Sequence, residues 1–150
     1  MNRCHFCNTP DGKFTPLDVN YYSNDRWAFD LVTYYYLTQV DGLELYVMKK
    51  AMGGTSIDST GDGGYHWTTD FDSLEDISLS LLKSFEDIIR ACMASRGQEF
   101  QIRAMLWHQG ESDRADYSPS AAANYYENLK RLIAYCRRIV GDDSLPFISR

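Results

Sequence analysis

The spacing of apolar side chains along the chain predicts alternating helices and strands. A period of three to four residues, typical of amphipathic helices, runs through residues 25–39, 73–96 and 119–140. Short apolar runs, typical of buried strands, cover residues 43–51, 100–107 and 145–149. The predicted order is therefore helix, strand, helix, strand, helix, strand.

Capping residues define the ends of the second and third predicted helices. Ser73 begins the second helix as its N-cap, with Asp76 three residues later completing an imperfect capping box, and Gly97 ends it. Pro119 lies in the first turn of the third helix, and Gly141 follows its last residue.

Helices of this length between short strands predict right-handed crossovers and a parallel sheet with helices on both faces. The expected fold class is therefore α/β, with three layers in the order α/β/α. In such sheets ligands bind beyond the carboxyl ends of the strands. Two polar, glycine-bearing segments, residues 53–56 and 108–113, follow the first and second predicted strands. We expect these two segments to be neighbours in space.

The composition is that of a folded domain, and it excludes several classes of partner. The chain has 150 residues, 44% of them hydrophobic, and a net charge of -6. This length fits one domain of roughly 100–200 residues. The acidic balance and the absence of a basic stripe argue against nucleic acid as a partner. No apolar run approaches the roughly 20 residues of a membrane span, and the chain shows no secretory signal. The localisation stays open.

The four cysteines constrain the function little. Cys4 and Cys7 form a Cys-x-x-Cys pair, which could be half of a zinc site or a redox pair. No second pair at finger-like spacing follows, and too few residues precede Cys4 for the strand that a thioredoxin motif requires. Cys92 and Cys136 fall within predicted helices, and we expect them to be small buried apolar residues. We therefore expect no metal site, and nothing here demands an oxidising compartment.

Residues 53–56 (Gly-Gly-Thr-Ser) allow two interpretations. Glycine is the default residue of strained loops, so the segment could be an ordinary turn. It could also be a place where backbone N–H groups face an anion. No Gly-Lys-Ser or Gly-Lys-Thr follows, and the G-x-G-x-x-G fingerprint does not fit, so it is neither a P-loop nor a dinucleotide site.

Residues 107–113 (Trp-His-Gln-Gly-Glu-Ser-Asp) concentrate donors and acids directly after a strand. The amide of Gln109 can donate to a developing oxyanion, and Gly110 lets the backbone turn sharply. Glu111 could be a buried acid that braces this loop. The alternative is a polar loop whose side chains cap one another.

Together these strings resemble the sialate O-acetylesterase and acetylxylan esterase group, which are carbohydrate esterases of the SGNH hydrolase superfamily. The resemblance spans roughly residues 27–147 and includes the Leu-Pro-Phe at the third predicted strand. It implies a flavodoxin-like three-layer fold. It also implies hydrolysis of O-acetyl esters on sialic acid, xylan or related sugars by serine acyl transfer, without a cofactor.

The resemblance also implies roles for individual residues. Gly54, in preference to Gly53, supplies a backbone N–H to the oxyanion hole, and Gln109 supplies a side-chain N–H. Glu111 corresponds to a supporting acid. The expected partner is an acetylated carbohydrate, and the expected contacts to it are made by Gly53, Thr55, Ser56, His66, Trp67 and His108. For Trp67 two alternatives stay open, because its ring could stack on a pyranose or pack over the loop.

The chain departs from the family in its nucleophile and base. Family members carry the serine in a Gly-Gln-Ser or Gly-Asp-Ser turn upstream of the matched region, and an Asp-x-x-His pair beyond the third strand. No Asp lies three residues before any of the three histidines. Ser144 ends a Gly-Asp-Asp-Ser string, but it follows a helix rather than a strand, so it is not the nucleophile. We also expect Ser56 to bond its own backbone and to form no improvised catalytic pair with a histidine.

These observations predict that residues 1–150 are part of a single SGNH-type esterase domain, incomplete at both ends. We expect the chain to lack the N-terminal nucleophile block and the C-terminal Asp-x-x-His block, and to be inactive by itself. The alternative is a non-catalytic carbohydrate-binding or scaffolding module derived from the esterase fold. The sequence does not predict the oligomeric state.

Overall fold

Short strands and three helices form the described part of the chain. A computed structural model describes residues 3–18, 29–96 and 101–149. The strands are β1 (Cys4–Cys7), β2 (Thr15–Pro16), β3 (Leu45–Met48), β4 (Met105–Trp107) and β5 (Phe147–Ser149). The helices are α1 (Phe29–Tyr35), which continues as a π-helical turn over Tyr36–Val40, α2 (Leu81–Arg96) and α3 (Pro119–Val140).

The described strands form two sheets rather than the one that the sequence predicts. In the first, β1 pairs in parallel with β3 and antiparallel with β2. In the second, β4 and β5 pair in parallel. The three predicted strands are confirmed, although they are shorter than predicted. Of these three, β4 and β5 pair with each other in parallel, whereas β3 pairs with β1. The sequence pattern missed β1, whose residues were interpreted as a Cys-x-x-Cys motif, and β2, which has only two residues.

The start of α2 is seven residues later than the sequence predicts. Ser73 does not begin the helix; it ends a 3-10 turn, Phe71–Ser73. The carboxylate of Asp76 accepts from the backbone N–H of Ser78 at 2.7 Å and so caps a second 3-10 turn, Ile77–Leu79. The N-cap of α2 is Ser80, whose Oγ accepts from the backbone N–H of Lys83 at 3.0 Å. Local bonds from serine and aspartate side chains therefore replace the first predicted helical turns.

The ends of α3 are as predicted. Ser118 is its N-cap and accepts from the N–H of Ala121 at 3.3 Å, and Pro119 is the first helical residue. Gly141 ends the helix in the left-handed conformation, with φ of 77°. The first predicted helix is confirmed only from Phe29 onward, since residues 25–28 lie outside the described residues.

Most of the core lies where α2 and α3 pack on β4 and on the loop after β3. Its buried side chains are Ile57, Trp67, Leu81, Leu82, Phe85, Ile89, Trp107, Leu132 and Cys136. Burial raises the pKa of the Cys136 thiol to about 12, so this cysteine is the small buried apolar residue that the sequence predicts. A second cluster, around Phe6 and Tyr34, packs α1 against β1.

A disulfide between Cys7 and Cys92 joins β1 to α2. Cys92 is buried, as the sequence predicts, but it is half of a disulfide rather than a simple apolar residue, and Cys7 is not the partner of Cys4. Three residues apart on a strand, Cys4 and Cys7 point to opposite faces of the sheet. Cys4 is a buried free thiol whose pKa burial raises to about 11.

The described residues contain no cluster of three or more His, Cys, Asp or Glu side chains that could hold a metal ion. No helix among residues 29–96 and 101–149 is long and apolar enough to cross a membrane.

A buried carboxylate links α2 to α3. Glu86 is 6% exposed and accepts from the hydroxyl of Tyr135 at 2.6 Å, and from Arg90 and Lys83 on its own helix. Burial favours the neutral acid, but hydrogen bonds from Tyr135, Arg90 and Lys83 outweigh it and lower the pKa of Glu86 to about 2. Burial and the charge of Glu86 raise the pKa of Tyr135 to about 12.

We expect Glu86→Gln to destabilise the fold at neutral pH and not in acid. The ordinary pKa of 4.5 applies to the unfolded chain and a pKa of about 2 to the folded chain. The charged form therefore stabilises fully above pH 4.5, and this contribution is lost as the pH falls through 2. The shift corresponds to up to about 3 kcal/mol. Urea unfolding at several pH values measures it. The control is Asp87→Asn, an exposed neighbour, and a pH-independent effect of Glu86→Gln would contradict the assignment.

Candidate functional site

The two polar loops predicted to be neighbours are joined by a hydrogen bond. Nε2 of Gln109, after β4, donates to the backbone carbonyl of Thr55, after β3, at 2.7 Å. The prediction of proximity is therefore confirmed, even though the two strands belong to different sheets among the described residues.

The turn at residues 53–56 begins with two exposed glycines, Gly53 and Gly54. Gly54 has φ of 68°, a left-handed conformation that favours glycine. A side chain at Gly53 or Gly54 would meet no atom within 4 Å, so both residues border open space. No described backbone carbonyl accepts from the N–H of either glycine. The two N–H groups are therefore candidate donors to an anion.

A glycine-rich segment, residues 61–64, packs directly on this turn. A Cβ on Gly63 would clash with the carbonyl oxygen of Gly54, and a Cβ on Gly61 would clash with the side chain of Ser56. Gly63 also has a φ of 105°. The close approach of the two backbones explains why this part of the sequence is rich in glycine.

Ser56 and His66 are hydrogen-bonded, but not as a catalytic pair. The Ser56 hydroxyl donates to the backbone carbonyl of Asp58 at 2.7 Å, as the sequence analysis expects of a local bond. Nδ1 of His66 lies 2.7 Å from the same Oγ. Since the hydroxyl proton is already donated, Nδ1–H donates to Oγ, which is the opposite direction to a general base. Ser56 is also fully buried, with 0% exposure.

Trp67 packs in the core. It is 5% exposed, and its ring contacts Trp107 edge-on at a centroid distance of 5.2 Å. Its indole N–H donates to Oγ1 of Thr55 at 3.2 Å. Of the two alternatives for Trp67, packing is therefore the one observed. Thr55, Ser56, His66 and Trp67 are all buried. Their expected contacts to the sugar stay a prediction. His108, Gly53 and Gly54 are exposed.

The buried acid of the second loop is Asp113, and the expectation of a buried Glu111 is wrong. After Gly110 the chain forms a 3-10 turn, Glu111–Asp113, which points these two side chains in different directions. The Glu111 side chain is 73% exposed and lies 3.7 Å from Nε2 of His108. Asp113 is 3% exposed. Asp113 is not among the site residues that the sequence predicts, although it stands four residues after Gln109 in the same string.

The carboxylate of Asp113 accepts hydrogen bonds from N–H groups of both loops. Its Oδ1 and Oδ2 accept from the backbone N–H of Ile57 at 3.1 and 2.9 Å, and Oδ1 accepts from that of Asp58 at 3.0 Å. Oδ2 also accepts from Nε2 of Gln109 at 2.7 Å. One carboxylate therefore holds the chain just after the Gly-Gly-Thr-Ser turn and the amide of Gln109 together.

The orientation of the Gln109 amide follows from its partners. Both hydrogens of Nε2 are donated, one to the carbonyl of Thr55 and one to Asp113. A flipped amide would place Oε1 against these two oxygens. In the observed orientation Oε1 is buried and has no partner among the described residues.

Tyr125, on α3, is hydrogen-bonded to the second loop. Its hydroxyl donates to the backbone carbonyl of Gln109 at 2.7 Å. A Cβ on Gly110 would come within 3.2 Å of that hydroxyl oxygen, and Gly110 has φ of 152°. Burial raises the pKa of Tyr125, and the charges of Asp113 and Glu111 add to the effect. The tyrosine therefore stays a neutral donor.

Similarity to known proteins identifies the family of the chain. The family model described as carbohydrate esterase, sialic acid-specific acetylesterase matches residues 35–150, which include both polar loops. The chain belongs to this carbohydrate esterase family, whose fold is of the SGNH-like α/β kind. Neither the search of curated proteins nor the search of solved structures gave a match.

Proposed function

We propose that these residues form part of the active site of an esterase that removes O-acetyl groups from a carbohydrate by serine acyl transfer. The observation that carries the proposal is the 2.7 Å bond between Gln109 and Thr55, which brings the two loops together. Membership of the carbohydrate esterase family supplies the reaction class. A single three-layer SGNH-type domain is the proposed setting.

The proposed contribution of this chain is the oxyanion hole. Attack on an acetyl carbonyl produces a tetrahedral intermediate with a negatively charged oxygen, which N–H donors stabilise. The backbone N–H of Gly54, an exposed residue, is one donor in this proposal and Nε2 of Gln109 is the other. Nε2 would release its bond to Thr55 and keep its bond to Asp113, because hydrogen bonds to a charged acceptor are the stronger ones.

The nucleophile and the base come from outside the motifs of this chain in the proposed enzyme. The 150 residues contain no Gly-Gln-Ser or Gly-Asp-Ser string and no Asp-x-x-His. The proposed enzyme therefore combines these residues with the serine and Asp-x-x-His blocks of the family. His108 and Glu111, which lie exposed beside Gln109, are the proposed contacts to sugar and the proposed supporting acid.

The 150-residue polypeptide will show no hydrolysis of 4-nitrophenyl acetate above the rate in buffer. The reason is that the Ser56 hydroxyl is buried and its proton is donated to Asp58, so it cannot act as a nucleophile. Release of 4-nitrophenol, followed by absorbance, measures the rate. Ser144→Ala is the matched control. If the wild-type chain hydrolysed the ester, and Ser56→Ala abolished this activity while Ser144→Ala preserved it, the conclusion that Ser56 is no nucleophile would be wrong.

The proposed function itself is tested on the DNA that flanks the reading frame. We expect an in-frame strand followed by Gly-Gln-Ser or Gly-Asp-Ser upstream, and Asp-x-x-His downstream. The longer protein should release acetate from O-acetylated sialic acid or from acetylated xylan. If neither block is encoded and the 150-residue chain binds acetylated sugar saturably, the non-catalytic alternative replaces the esterase.

A further inference from the structure

We propose that Asp113 is a positioning residue that sets the relative placement of Gln109 and the Gly-Gly-Thr-Ser turn. The inference rests on the proposed function, because it concerns the two loops that would form the oxyanion hole. It adds a residue to which neither the family description nor the sequence analysis gives a role.

The three donors on Asp113 come from both loops. Two are the backbone N–H groups of Ile57 and Asp58, which directly follow the turn, and the third is Nε2 of Gln109. Gln109 in turn donates to Thr55, so Asp113, Gln109 and the turn form a closed ring of hydrogen bonds. A ring of this kind leaves neither loop free to move without breaking a bond in a buried place.

The side chain at this position has to be an acceptor at both oxygens. All three partners are N–H donors. An ionised carboxylate accepts hydrogen bonds at both oxygens and donates none. No ion pair among the described residues involves Asp113, so its charge is balanced by these donors. An asparagine would direct an NH2 group at one of the donors and open the ring.

Asp58 offers a matched control, because it is a buried aspartate that does not touch Gln109 through its carboxylate. It is 8% exposed, and its side chain accepts from Thr60, Asn124 and Asn128, which ties the same loop to α3. Burial opposes ionisation, but these hydrogen bonds lower the pKa of Asp58. Asp58→Asn therefore loosens the loop at a different place.

The test compares Asp113→Asn with Asp58→Asn in the 150-residue chain by ¹H–¹⁵N NMR. We expect Asp113→Asn to move the side-chain amide peaks of Gln109 to the positions of a solvated glutamine, and to shift the backbone peaks of Ile57 and Asp58. Asp58→Asn should leave the Gln109 side-chain peaks in place. Unmoved Gln109 peaks in Asp113→Asn, or equal movement in both variants, would overturn the proposal and leave Asp113 a structural residue.

A measurement on the wild-type chain covers the case in which Asp113→Asn does not fold. Scalar coupling across the hydrogen bond should connect the amide nitrogen of Ile57 to the carboxyl carbon of Asp113, and its absence would contradict the contact. In the longer esterase, Asp113→Asn should lower kcat by up to about 100-fold with little change in KM, as expected for misplaced groups. An unchanged kcat of Asp113→Asn in the longer esterase would overturn the positioning role. If no variant hydrolysed the substrate, wild type included, the proposed function would be overturned, but the NMR comparison would still test the positioning of Gln109.

Discussion

Loss of the Cys7–Cys92 disulfide will lower the free energy of unfolding by about 4.6 kcal/mol, as estimated from the loop that it closes. The two cysteines are 85 residues apart in sequence, so the bond removes many conformations from the unfolded chain. It also joins β1 to α2, and around it Ile88 is buried with the two cysteines. The expected result is a large fall in the urea midpoint of the Cys7→Ser, Cys92→Ser double variant.

Reduction of the wild-type chain with dithiothreitol should have the same effect as the double variant. The double variant is itself the control, because the reductant should leave its urea midpoint unchanged. Thiol titration of the unfolded chain without reductant should find two free cysteines, Cys4 and Cys136. Four free thiols in protein purified under oxidising conditions would show that the bond does not form. Such bonds persist in oxidising surroundings, so the purification conditions matter to this experiment.

Gln109→Ala should lower kcat about 100- to 1000-fold in the esterase that carries the family's serine and Asp-x-x-His blocks, since this is the usual loss for one oxyanion donor. The effect should fall on kcat rather than KM, because the negative oxygen exists only in the transition state and the intermediate. Steady-state hydrolysis of an acetylated sugar measures both constants.

Two further variants sharpen the Gln109 experiment. Gln109→Glu keeps the size of the side chain but replaces the donor with a second carboxylate beside Asp113, so we expect at least the same loss. Arg114→Gln is the control, because Arg114 is exposed, follows the loop and pairs with Asp116 on the surface. A Gln109→Ala enzyme with kcat near that of Arg114→Gln would remove Gln109 from the oxyanion hole.

Much of the secondary structure was predictable because its signals are local. The N-cap Ser118, Pro119 and the left-handed Gly141 define α3 through contacts within a few residues, and the structure confirms each of them. The start of α2 was not predictable in this way. The apolar period continues back through residues that form 3-10 turns, so the pattern does not distinguish a helix from successive turns held by Asp76 and Ser80.

The candidate site, too, was predictable only in part from the sequence. The strings at residues 53–56 and 107–113 were sufficient to predict that the loops meet and to indicate the family, which the family comparison then confirmed. Which side chains of these loops are exposed to solvent was not predictable. Glu111 and Asp113 are both acids in one polar string, and only the turn after Gly110 decides that Glu111 faces solvent and Asp113 is buried.

The sequence by itself therefore determined the family, the order of the main elements and the two loops that carry the chemistry, because these depend on residue type and short spacing. Only the tertiary structure decided which side chains of those loops are inside, how Gln109 is oriented and which cysteines pair. These outcomes depend on contacts between residues far apart in the chain. Cys7 and Cys92 are 85 residues apart and Asp113 and Ile57 are 56 apart, and no local pattern encodes such contacts.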